Sequence, residues 1–312
     1  MSSTVAYANY DQSYTNRVPL LTPQEYNSAP TAMDVANLVS GGSQANSTAL
    51  VETIARASSW VDQYVMGSTG TLAATLNTES YRIWSSRDLT LKIHPRFWPI
   101  LEVDSFSYAP TGGYGFSNAA SITPAGNIWI EPQEFVVNLN AGGIFGFNTA
   151  FNGFGGIGVA PCQEYYCTWS YVNGFPLSTL TASVAAGANS ITPESVIGMY
   201  PGSTLTLYDL PNDEQIQIAS TYVPGTATVP LAGTTAYTHA AGVMVTNLPP
   251  AVKQAAILAT TAFIKQRGSG AMVVQDMGAV THQSSGFSQN SGSDWAEAEL
   301  LLDVFRQAYV GY

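Results

Sequence analysis

The residues best able to do chemistry are few and scattered. The chain has three histidines, His94, His239 and His282, and none has a second ligand at the spacing a zinc site requires. They read as structural or exposed. A hydrolase serine has no G-x-S-x-G elbow to support it. None of the lysines Lys92, Lys253 and Lys265 follows a glycine, which excludes a phosphate-binding P-loop. Gly153-Phe154-Gly155-Gly156-Ile157-Gly158 satisfies G-x-G-x-x-G on paper. A dinucleotide site needs that motif between a strand and a helix, and here a proline and another strand candidate follow. Asp213-Glu214 reads as a solvated turn. Cys162 and Cys167 lie in a strand candidate, where an extended chain sets them about 16 Å apart, beyond disulfide reach. They are expected to be reduced, structural thiols in a chain made in a cytoplasm. No catalytic residue, metal or cofactor is expected, and the protein is not read as an enzyme.

The elements that must position these residues follow from capping and periodicity. Thr22-Pro23-Gln24-Glu25 carries an N-cap threonine, a proline at the first helical position and the glutamate of a capping box. A second short helix is expected from Thr31-Ala32-Met33-Asp34 to Gly41. A longer one is expected over 46–65, with Leu50, Ile54, Ala57, Val61 and Tyr64 on one face. Strands are expected at 81–84 and 89–94 as a hairpin around Ser85-Ser86-Arg87-Asp88, and then at 100–108, 127–131, 135–139 and 164–172. A Gly/Phe-rich loop occupies 141–159. Residues 175–248 read as short strands with regular turns, an inserted antiparallel β-sandwich or barrel. Its expected core is Leu180, Val184, Ile191, Leu205, Leu207, Ile216, Ile218, Val229 and Val243.

Helices resume at Pro249-Pro250. The helix 250–266 is apolar on nearly every side, and its own chain or a neighbour must cover it. Gly268 is expected to end it, a mobile stretch 269–292 to follow, and a last helix to open with Asp294 as its cap. The fold class is thus α+β. Residues 1–174 hold helices and strands of a core, 175–248 an inserted β-module, and 249–312 the helices that complete the core.

Charge narrows the function. Charged residues make up only 10 % of the chain, against about 25 % in ordinary soluble domains, so much surface is expected to lie against other protein. No apolar run reaches the roughly 18 residues of a spanning helix, and the polar 1–14 lacks the pattern of an export signal. Six Trp and 11 % aromatic residues exclude disorder. The net charge is −11, and no Lys or Arg occurs between Arg96 and Lys253. Tight binding to phosphates by that stretch is not expected.

Six strings carry a resemblance: "LTPQEYNSAPTAMDVANLV", "TIARASSWVDQYV", "HPRFWPILEVDSFSY", "TWSYVNGFPLSTLTA", "LPPAVKQAAILATTAFIKQRGS" and "WAEAELLLDVFRQ". In this order they resemble the head-to-tail adaptor (connector) proteins of long-tailed double-stranded DNA bacteriophages, over about 21–306. The resemblance is weakest in 1–20 and 141–159. It implies a small helical connector core with a β-rich insertion, in a ring, dodecameric like the portal, in the virion neck. The implied partners are the portal protein, a tail-side stopper or tail terminator, and DNA that passes through the channel unbound.

Within such a ring, Ile257, Leu258, Phe263 and Ile264 are expected to pack subunits together. The family's C-terminal region engages the portal, so Trp295, Leu302 and Tyr309 are expected on an exposed docking face. The competing expectation is that this last helix packs on 250–266 of its own chain. Two other functions compete with the adaptor. One is a neighbouring neck protein, a tail-completion or stopper protein. The other is a carbohydrate- or surface-binding module, which requires exposed Trp or Tyr in one shallow site; residues 175–248 contain no Trp.

Overall fold

The computed structural model describes residues 19–29, 43–67, 70–110, 120–122, 124, 126–139, 162–275 and 291–306. The chain is a mixed α+β protein whose sheets are antiparallel. It forms two compact units, 1–73 with 175–312, and 74–174. The strand-rich 74–174 leaves the first unit after Ala73 and returns at Phe175, where Phe175 N–H donates to the Leu72 carbonyl at 2.7 Å. Residues 175–248, read from the sequence as the insertion, cluster with the helices instead.

In the first unit, α1 (Pro23–Ser28) opens with the expected capping box. Glu25 N–H donates to Thr22 Oγ1 at 3.2 Å, and Thr22 N–H donates to Glu25 Oε2 at 2.7 Å. Helix α2 (Ser43–Met66) buries Leu50, Ile54, Ala57 and Val61, the face set by the helical period. Helix α3 (Pro250–Gln275) runs past Gly268, which was expected to end it. A glycine inside a helix costs about 1 kcal/mol, too little to stop a helix held by packing upstream. Helix α4 (Ser291–Leu302) is followed by the 3-10 turn Asp303–Phe305. It begins before Asp294, so Asp294 sits in the first turn rather than at the cap, and its carboxylate pairs with Lys265 at 2.6 Å. The helix expected near 31–41, the loop 141–159 and most of the stretch expected to be mobile lie outside the described residues. Among the described residues no helix is long and apolar enough to cross a membrane.

The second unit, 74–174, is two antiparallel sheets around one core. Its strands are β1 (Thr75–Trp84), β2 (Thr90–Ile93), β3 (Ile100–Pro110), β4 (Ala120–Ile122), β5 (Ile128–Ile130), β6 (Phe135–Asn138) and β7 (Glu164–Asn173). The sheet orders are β1-β7-β3-β4 and β2-β6-β5. Leu91, Ile93, Phe135 and Val137 from one sheet meet Phe106, Tyr165, Trp169 and Tyr171 from the other.

The hairpin expected around Ser85–Asp88 does not form: β1 pairs with β7 and β2 with β6. The turn itself is tight. Ser86 Oγ accepts from the N–H groups of Asp88 and Thr90, and Leu89 takes φ 57°. That left-handed residue redirects the chain, so the apolar alternation of β2 is buried in the second sheet rather than beside β1.

In 175–248 the strands are β8 (Leu177–Thr179), β9 (Ser190–Ile191), β10 (Thr204–Tyr208), β11 (Glu214–Gln217), β12 (Val229–Pro230) and β13 (Met244–Thr246). They form a four-stranded sheet, β11-β10-β13-β8, and the pair β12-β9, with no closed barrel. All nine residues expected in its core are there, joined by Met199, Tyr222 and Val245 among others. The expected turns at 186–187, 201–202 and 224–225 place Gly187, Gly202 and Gly225 at positive φ, where a side chain would be strained.

Candidate interaction surfaces

The C-terminal helix shows its expected docking residues to its own chain. Leu302 is fully buried, and so is Ala298. Trp295 is half-buried, with its ring edge-on to Trp60 of α2 and Phe263 of α3 at centroid distances of 4.6 and 4.9 Å. Residues i, i+3 and i+7 of a helix share one stripe, and Trp295, Ala298 and Leu302 are that stripe. Trp295 and Leu302 therefore do not form an exposed face, and Tyr309 lies outside the described residues. The outer side carries Leu300 and Val304, 71 % and 83 % exposed.

The expected subunit-packing set is also largely spent within the chain. Leu258 and Ile264 are buried, while Ile257 and Phe263 are half-buried. Helix α3 is covered by α2 and α4, because an all-apolar helix is stable in water only when walled in. Polar ties close the layer: Tyr64 Oη donates to Asp303 at 2.6 Å, and the Arg306 guanidinium lies over the Tyr64 ring at 5.4 Å.

A buried charge cluster joins these helices to the β-module. His239 is fully buried, with Nδ1 3.1 Å from Asp209 Oδ2 and Nε2 3.0 Å from Glu214 Oε1. Each ring nitrogen thus meets a carboxylate oxygen, so the imidazole ties Asp209 to Glu214 across the strand turn. Glu214 also accepts from Ala236 N–H at 2.7 Å, and Asp213 from Asp209 N–H at 2.6 Å. Glu214 is thus a packed acceptor rather than the solvated turn residue expected.

Next to it, Lys253 of α3 is 4 % exposed. Its ammonium pairs with Glu25 of α1 and sits 3.8 Å from the Tyr208 ring centroid, a cation–π contact. Burial pushes the Lys253 pKa down, and the Glu25 carboxylate pulls it back up. Burial likewise raises the Tyr208 phenol, helped by the Glu25 and Asp213 charges. These groups satisfy one another, and the cluster acts as a clamp between α1, α3, β10 and β11. Among the described residues no group of three or more His, Cys, Asp or Glu side chains could hold a metal ion.

The second unit carries the exposed basic residues Arg82, Arg87, Lys92 and Arg96. Arg82 is on β1 and Lys92 on β2, in different sheets. Lys92 is paired with Glu134 at 2.7 Å, and His94 approaches the same carboxylate at 3.3 Å. Cys162 is exposed, whereas Cys167 is buried and its thiol is pushed up to about 12, which makes it inert as a nucleophile. Glu79 is raised by burial, although Tyr171 Oη donates to it at 2.6 Å and Arg96 N–H donates as well.

The outward side of β1-β7-β3-β4 carries rows of paired hydroxyl side chains. Antiparallel partners share a face, and Thr78 faces Ser170, Ser80 faces Thr168 and Ser107 faces Ser121. Trp84 and Tyr166 stand on that same side, 67 % and 37 % exposed. The sequence offered the alternation in these strands but not their register, so the shared face was not legible there. No family model, curated protein or solved structure matches this chain.

Proposed function

We propose that the protein is a structural ring subunit of a tailed-bacteriophage neck, a head-to-tail adaptor between portal and tail that leaves a channel for DNA. The observation that carries this reading is where the resembling strings fall. Those beginning at Leu21, Thr53, Leu248 and Trp295 supply α1, α2, α3 and α4, elements that pack on one another as a single helical layer. This layer is the proposed connector core. The acidic composition from Phe97 to Val252 supports passage of DNA without a grip on its phosphates.

In this reading the subunits form a homo-oligomeric ring, dodecameric like the portal it meets, with a stopper or tail terminator on the other side. With Leu302 and Trp295 turned inward, Leu300 and Val304 are the apolar residues that α4 and its following turn can offer to the portal. Electron microscopy of the purified protein, alone and with portal, tests the proposal. Rings with an open channel are expected. A monomer that stays monomeric in the presence of portal rejects the adaptor. A ring found one level further down the neck replaces it with the stopper or tail-completion reading.

A further inference from the structure

The outward face of β1-β7-β3-β4 has a chemistry of its own. Its middle carries paired hydroxyls: those of Thr78–Ser170, Ser80–Thr168 and Ser107–Ser121 are 2.9, 2.8 and 3.2 Å apart. Each pair spends one hydrogen internally. It keeps one O–H donor and several lone pairs for an outside partner. At one end of this hydroxyl field stand four larger groups in register, Trp84 opposite Glu164 and Arg82 opposite Tyr166. Trp84 and Tyr166 are therefore diagonal neighbours, about 7–8 Å apart along the sheet, and Arg82 and Glu164 balance each other's charge.

Three classes of partner can be compared on this face. Nucleic acid needs a basic surface, and this side offers Arg82 against Glu164, with the acidic Glu102 and Asp104 of β3 besides. Protein interfaces are depleted in serine at their centres, whereas serines and threonines make up this centre. A neutral sugar polymer fits both parts. Its hydroxyls match donors and acceptors without charge, and the apolar C–H face of a pyranose ring covers an exposed indole or phenol ring. Such amphipathic rings are usually kept exposed for a partner.

The geometry points to a carbohydrate-binding face on the second unit. Trp84 and Tyr166 would stack successive sugar rings, Arg82 and Glu164 would hydrogen-bond to their hydroxyls, and the paired Ser/Thr side chains would extend the contact along the chain. Residues 175–248 contain no Trp, whereas here Trp84 and Tyr166 stand together on β1 and β7. This assignment is independent of the neck reading: a virion protein can hold glycan with a domain that takes no part in the ring.

The test is calorimetric titration of the full chain with neutral hexasaccharides of glucose, N-acetylglucosamine, galactose and mannose. At least one should bind. Trp84→Ala should weaken it tenfold or more and Tyr166→Ala severalfold, while Trp84→Phe keeps most of the affinity. Unchanged melting temperatures would show that the variants are folded, as expected for exposed side chains. Trp129→Ala removes a Trp that is 58 % exposed on the other sheet and should leave binding intact. The proposal is overturned if none of the four sugars binds, or if Trp129→Ala does the same damage as Trp84→Ala. It is also overturned if only a sulfated polymer binds and Arg82→Ala alone abolishes it. Self-association that Trp84→Ala abolishes, with no sugar bound, would assign the face to a second copy of the chain instead.

Discussion

The two β-rich regions, 74–174 and 175–248, solve the same problem with opposite means. The first has strands of up to 11 residues and a core of rings. Phe135 lies edge-on to Trp169 at 6.0 Å and to Phe106 at 6.4 Å, and Tyr108 is edge-on to Tyr165 at 5.7 Å. The second has strands of two to five residues, an aliphatic core, and single bridges such as Val184 to His239 and Ile218 to Leu231. Long ladders set their own register through many cross-strand pairs. Short ones cannot, and here buried charges do the positioning. His239 holds the end of β10 to the start of β11, and Lys253 holds β10 to α1 and α3. The charge cluster is thus a substitute for strand length.

That contrast can be broken most severely at Trp169, which is 1 % exposed. Trp169→Ala should cost about 3–5 kcal/mol, read as a lower urea midpoint. Trp169→Phe should cost far less, because Trp169 Nε1 has no hydrogen-bond partner among the described residues and losing that donor costs nothing further. An equal loss in both variants would show that the indole N–H is satisfied after all.

Lys253→Met should cost about 3 kcal/mol, the scale for breaking a buried ion pair, because it leaves Glu25 without its cation. Adding Glu25→Gln should recover part of that loss. If the two losses simply add, the pair is not coupled and the clamp does not exist.

Alkaline pH should separate the two regions by sign. The folded chain keeps the Cys167 thiol protonated up to about 12, whereas the unfolded thiol ionises from near 9.0. The native state thus holds the extra proton above pH 9, and this group's stability is lost as pH rises, by roughly 1 kcal/mol at pH 10. Lys253 acts the other way. Its folded pKa lies below the ordinary 10.5, so the unfolded chain holds the extra proton and stability rises with pH toward 10.5. Urea melts between pH 8 and 10 should show Cys167→Ala removing a falling component and Lys253→Met removing a rising one. Parallel pH curves for parent and both variants would contradict this.

The smallest effect belongs to the helix start. Thr22→Ala removes one side of the capping box and should cost about 1 kcal/mol. Circular dichroism and thermal melting of the full chain would read it. A loss several times larger would mean that Thr22 supports the Glu25–Lys253 pair as well as α1.

Legibility followed the range of the physics. The capping box at Thr22, the buried stripe of α2 and the nine core positions of 175–248 were readable because capping and alternation act within a few residues. Three expectations failed where partners are distant in the chain. The turn after Trp84 was read correctly as a turn, but the fate of β2 depended on Phe135 and Val137, more than forty residues away. Gly268 read as a stop, yet α3 continues. Trp295 and Leu302 read as an exposed pair because their spacing defines a stripe and says nothing of which side the rest of the chain covers.

By itself, then, the sequence determined the α+β class, the starts of α1 and α3 and the inward alternation of the short strands. Its low charge and its six strings raised the neck reading. The tertiary structure alone decided which strands pair, that Leu302 faces inward, that His239 meets both Asp209 and Glu214, and that Trp84 and Tyr166 share a hydroxyl-lined face. The reason is that periodicity specifies a face but not its partner. The partner is chosen by which apolar surfaces can be buried together at once, and buried ions and outward faces fall where that choice leaves them.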